Sequence, residues 1–178
     1  SLHDALPISG KLDPGPKRSG MLKLTKKSDY GLIALRHLAA EPGPAAATAK
    51  EIAAAYRMPV PLLSKVLQRL AKDGFLVSEP GATGGYRLAR DPRLMSTLEV
   101  IRSIDGPVLL ANCFHSGGDC EQDATCTVKE PLRKVHEGIL RLLASISIWD
   151  LATGEIPDFA QRPIWPIRAA AARPAANP

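Results

Sequence analysis

At 178 residues with 45% hydrophobic content, the chain is long enough for one domain with a true core, and it has no run of eighteen apolar residues that could cross a membrane as a helix. The net charge of +5 is concentrated early: residues 21–100 hold 12 Lys and Arg against 7 Asp and Glu, residues 101–152 hold 5 against 7, and only the first half faces a polyanion. The three cysteines are odd in number and the first twenty residues carry no small-residue cleavage site, which argues against an exported disulfide scaffold and for a reducing, cytoplasmic setting.

Residues 1–20 have no usable periodicity and read as a disordered or non-native leader, with Met21 as the natural start. From there the pattern is regular. A helix is expected over 28–40, carrying Ile33, Leu35 and Leu38 and stopped by Glu41-Pro42-Gly43-Pro44. Thr48 and Glu51 form a capping box that opens a short helix, with Ile52 and Ala53 inward and its end near Tyr56. After a turn at Met58-Pro59-Val60, Pro61 suits the first position of a third helix. There Leu62, Leu63, Val66, Leu67 and Leu70 recur at helical spacing until Gly74.

Two short helices joined by a tight turn, the second exposing Ser64, Lys65, Gln68, Arg69 and Lys72, have the form of a helix-turn-helix. An ordinary helical hairpin shares that pattern, but the next segment separates the two. Phe75-Leu76-Val77 and Tyr86-Arg87-Leu88-Ala89 read as strands around the turn residues Pro80 to Gly85, and a hairpin directly after a helix-turn-helix is a wing. Thr83, Gly84, Gly85, Tyr86 and Arg87 are its candidate DNA contacts, with Arg87 and Arg90 on the returning strand placed for phosphate.

Ser96 and Glu99 form a second capping box, opening a helix with Val100, Ile101 and Ile104 that Asp105-Gly106-Pro107 breaks. All three thiols then fall in one turn-rich segment, CFHSGGDCEQDATC, with a C-x6-C-x5-C spacing from Cys113 to Cys126. Its glycines and acids have no apolar period, so something other than core packing must hold it, and clustered thiols point to a ligand set. A long last helix is expected over about 127–145, with Val128, Leu132, Val135, Ile139, Leu142, Leu143 and Ile146 on one face and Pro131 in its first turn. That stripe fits pairing with a second subunit, although packing on the chain's own winged domain accounts for the same pattern.

The expected fold class is mostly α. A winged helix-turn-helix DNA-binding domain spans 21–104, the cysteine loop 105–126 and the dimerisation helix 127–152. A mostly disordered tail covers 153–178, in which Trp165 is the residue expected to touch the body. No nucleophile elbow, phosphate loop or paired-carboxylate motif is present, so no enzyme is expected, and His37 and His136 read as surface or interface residues.

Taken together, LTKKSDYGLIALRHLA, SKVLQRLAKDGFL, GATGGYRLA and the cysteine loop resemble the iron-sulfur-cluster transcription regulators of the IscR, NsrR and SUF-regulator family. The resemblance covers about residues 21–152. It implies a homodimer on a double-stranded DNA operator, acting as a repressor in preference to an activator and controlled by a 2Fe-2S or 4Fe-4S cluster that senses iron, redox or nitric oxide status. It also implies that Cys113, Cys120 and Cys126 are cluster ligands. Where IscR-like members place a histidine three residues after the last cysteine, this chain has Lys129, which cannot ligate while protonated. The NsrR-like branch takes an aspartate from the partner's first helix, and the matching residue is Asp29. His115 and Glu130 compete for that fourth position, and a helix N-terminal carboxylate stabilised by the dipole accounts equally for Asp29. Pro80 stands where family members carry an arginine before the first wing glycine, so minor-groove insertion by arginine is not implied there. Two cluster-free readings remain open: a structural zinc site of the three cysteines with His115, and a thiol switch that forms a disulfide on oxidation.

Overall fold

A computed structural model describes residues 24–40, 46–81, 84–114 and 120–156. The expectations for residues 1–20, Thr83, His115 and Trp165 lie outside them. Helix α1 (Lys26–Ala40) starts where Thr25 Oγ1 accepts the backbone N–H groups of Lys27 and Ser28 at 3.2 and 3.3 Å, and it turns Ala34, Leu35 and Leu38 inward. Helix α2 (Ala49–Tyr56) opens with the expected capping box. Thr48 Oγ1 accepts from Glu51 N at 3.2 Å, and the Glu51 carboxylate accepts from Thr48 N at 2.7 Å.

Arg57 ends α2 in the left-handed region, with φ of 54°, and its N–H returns to Ala53 O. Reversal there leaves room for only a short turn before α3 (Val60–Lys72), which holds Pro61 in its first turn, where no intrahelical N–H bond is sacrificed. Leu63, Val66, Leu67 and Leu70 of α3 are buried, and they join Leu35, Ile52, Phe75 and Met95 in one core cluster.

Strands β1 (Leu76–Glu79) and β2 (Gly85–Leu88) pair antiparallel, with Leu76 opposite Leu88 and Glu79 opposite Gly85. Ala47 adds a third edge, exchanging backbone hydrogen bonds of 3.0 and 2.9 Å with Tyr86. That approach is why Gly85 is a glycine: a Cβ would stand 2.6 Å from Ala47 O. Helix α4 (Thr97–Asp105) is opened by the expected Ser96–Glu99 box and crosses α1, where a Cβ on Gly31 would collide with Ile104 Cδ1.

Helix α5 (Lys129–Ser145) follows the cysteine segment, and the C-terminal part departs from expectation in two ways. Ile146 is not on the helix face: its backbone is extended, and its carbonyl accepts from Thr97 N at 2.8 Å and Thr97 Oγ1 at 3.0 Å. A further helix, α6 (Ile148–Thr153), then returns to the core through Ile148, opened by a Ser147–Asp150 capping box and tied to α1 by Arg36 Nε donating to Leu151 O at 3.0 Å. The apolar period through Ile146 concealed this break, because apolar side chains recur at the same spacing on both sides of the extended turn beside Met95 and Thr97. No helix among the described residues is long and apolar enough to cross a membrane.

Candidate functional site

The amphipathic pattern of α3 buries its leucines and leaves Lys65, Gln68, Arg69 and Lys72 exposed on one face, with Ser64 half-buried beside them. Arg69 Nε donates to Asp73 Oδ2 at 2.9 Å, and the same oxygen accepts from Ser103 Oγ at 2.6 Å. The Ser103 hydrogen bond first, then Arg69, holds the Asp73 carboxyl below the usual carboxylate range. Asp73 therefore fastens the end of α3 to α4, a role carried by no helical period and missed in the sequence. Arg69 remains 55% exposed along its side chain. An exposed pair of this kind contributes only about 0.3–0.5 kcal/mol, so a phosphate could take the guanidinium from it.

In the wing, Gly84, Gly85, Tyr86 and Arg87 are half-buried, and Arg87 is ion-paired with Glu79 inside the hairpin. Arg90 lies over the Phe75 ring, 4.8 Å from its centroid, and 3.7 Å from Glu99. Both arginines expected to reach phosphate are thus engaged within the subunit.

Cys113 lies in a 3₁₀ turn over Asn112–Phe114, and Cys120 opens a run of turns in which Asp123 N donates to its carbonyl at 3.0 Å. Cys113, Cys120 and Cys126 are each partly exposed and none is in a disulfide. Lys129, in the first turn of α5, is ion-paired with Asp123. The Asp123 hydrogen bond raises its pKa above the ordinary lysine value, with smaller contributions from the charges of Cys113 and Cys120.

The rivals for a fourth ligand are placed unequally. Asp29 is exposed in the first turn of α1, next to buried Ser28. Both carboxylate oxygens of Glu130 accept from Arg133, whose hydrogen bond holds that carboxyl below the usual range. Among the described residues no three His, Cys, Asp or Glu side chains gather closely enough to hold a metal ion.

Of the two histidines read as surface or interface residues, only His136 differs from expectation. His37 is half-buried with Nδ1 3.2 Å from the Tyr56 hydroxyl, and His136 is buried within the subunit, its ring stacked on Phe114 at 5.2 Å between centroids. The stack brings a loop residue over α5, which periodicity along α5 alone could not reveal. Among the described residues nothing covers the outer face of α5: Leu132 and Val135 are 38% and 52% exposed, and a groove of about 710 Å³ runs past Pro131, Val135, Ile139 and Leu142.

Residues 24–154 match the Rrf2 family, described as an iron-dependent transcriptional regulator. An rrf2-like HTH-type transcriptional regulator of Rhodobacter capsulatus is 33% identical over 142 residues, covering 75% of this chain and 95% of that one. The HTH-type transcriptional regulator NsrR of Halalkalibacterium halodurans is 30% identical over 135 residues, covering 75% and 92%. Among solved structures, CymR, the global cysteine regulator of B. subtilis, superposes with a TM-score of 0.62 at 27% identity, over 75% of this chain and 98% of that one. The chain belongs to the Rrf2 family, and it is a winged-helix transcriptional regulator and not an enzyme.

Proposed function

We propose that this regulator is a homodimeric repressor whose binding to a double-stranded DNA operator is governed by an iron-sulfur cluster on the cysteine segment. The observation that carries the reading is that Cys113, Cys120 and Cys126, free of disulfides and partly exposed, all lie on the one segment joining α4 of the DNA-reading domain to α5. The chemistry of the donor types fits the group, since thiolates are soft ligands suited to iron. When bound, a cluster supplies an iron centre responsive to oxidants, nitric oxide or iron supply.

In this reading the three thiols hold the centre, and an Asp29 from the second copy of the chain completes it as a harder, more weakly held donor. Asp29 is preferred here to Glu130, whose carboxylate is already held by Arg133. The uncovered face of α5 receives the second subunit. Fully burying an exposed valine contributes about 1.5–3 kcal/mol, so covering the exposed half of Val135 adds roughly half of that, which a two-fold interface collects twice. Lys65, Gln68 and Arg69 read or grip DNA from the exposed face of α3, with the wing around Tyr86 alongside.

A cluster-free thiol switch, which needs no set of converging metal ligands, is the reading favoured by a specific observation: no three candidate ligands converge among the described residues. Purification without oxygen, with visible spectrum, iron, sulfide and zinc measured on one sample, separates the two. Brown protein containing iron and sulfide is expected, and colourless protein with zinc or no metal overturns the cluster.

A further inference from the structure

His136 is 9% exposed, and its Nδ1 is buried with no hydrogen-bond partner among the described residues. Its ring lies over Phe114 at 26° between planes, a stacked geometry. Phe114 adjoins Cys113 and closes the 3₁₀ turn that contains it, with its N–H donating to Ala111 O at 3.1 Å. Around this stack α5 is otherwise thinly anchored: among its described residues, only His136 is buried.

We propose that the Phe114–His136 stack positions the Cys113 end of the cysteine segment on α5. It deepens the proposed function, since a displacement of Cys113 then moves the helix offered for dimerisation. Neither residue serves as a metal ligand. Both act through the backbone of Cys113.

The test uses the full chain stripped of metal, so it does not depend on whether a cluster, zinc or neither is the natural occupant. Iodoacetamide labelling is followed by mass spectrometry at each cysteine. His136→Ala is expected to speed labelling of Cys113 about tenfold, with Cys126 unchanged, because the turn around Cys113 then opens locally with no ring beneath Phe114. His136→Phe, which keeps a stacked ring, is expected to restore the wild-type rate. Equal Cys113 rates in wild type and His136→Ala overturn the proposal. So does acceleration of all three cysteines together, which marks general loosening, or failure of His136→Phe to restore protection.

Discussion

Ser28 Oγ donates a 2.5 Å hydrogen bond to Asp105 Oδ2, joining a wholly buried hydroxyl in the first turn of α1 to the last residue of α4. Thr25 Oγ1 lies 2.8 and 2.7 Å from the two oxygens of the same carboxylate. Asp29 follows Ser28 directly, so the end of α4, from which the cysteine segment departs, fixes the turn of α1 that presents it. Removing the acceptor strands a buried hydroxyl. Asp105→Ala should therefore cost about 1–3 kcal/mol and lower Tm by several degrees, while Asp105→Asn, which keeps an oxygen acceptor, recovers most of that stability. Thermal unfolding followed by circular dichroism checks this, and an Asp105→Ala chain that melts with wild type shows that the two helices are not joined through this carboxylate.

The exposed face of α3 gives the DNA prediction. Replacing Lys65 and Arg69 together by alanine should weaken operator binding and lower the slope of log affinity against log salt by about 2, one for each phosphate no longer neutralised. Titrations over a range of salt measure it. Because the Arg69 pair with Asp73 also supports the end of α3, unfolding of the double variant is monitored alongside. An unchanged slope in a folded double variant takes this helix out of the interface.

Val135 is the position from which to test subunit pairing. It is 52% exposed in the subunit, so Val135→Glu leaves the winged domain folded yet puts a charge into the proposed interface, at a penalty on the order of several kcal/mol. Light scattering should find a dimer for wild type and a monomer for the variant, with equal helix content. A wild-type chain that is monomeric at micromolar concentration contradicts the pairing.

Much of this fold was legible in the sequence because its signals are local. The boxes at Thr48–Glu51 and Ser96–Glu99 and the leucine spacing of α3 each lie within a few residues of one another. The Ser147–Asp150 box of α6 is just as local, but the apolar run through Ile146 extends the α5 pattern up to it and hides the break. Pairings made by folding were not legible. The hydroxyls of Thr25 and Ser28 meet Asp105 across most of the domain, Glu79 takes Arg87, and Phe114 covers His136, and none of these leaves a period in the chain. For the cysteine segment, the sequence supplies the donor types and their spacing, while the fold supplies what surrounds them: Lys129 held by Asp123, and Glu130 held by Arg133.

The fourth ligand can be assigned by substitution. A carboxylate binds iron more weakly than a thiolate, so Asp29→Ala should leave a cluster with an altered spectrum and shorter lifetime, whereas Cys120→Ala abolishes it. His115→Ala should change little. The reverse pattern, with His115→Ala destabilising and Asp29→Ala silent, would confine ligation to one segment and leave α5 as the route to the DNA.

If the occupant of the cysteine segment sets operator affinity, removing that occupant must change the affinity of an otherwise identical protein. The most direct measurement is the affinity of one protein sample for a double-stranded site selected from a random library, before and after its iron is removed by chelation without oxygen. Coupling between two sites is typically about 1–3 kcal/mol, so a change of about 5- to 150-fold is expected, and none in Cys120→Ala. Equal affinities before and after, in protein shown to have carried iron and sulfide, would contradict control by the cluster.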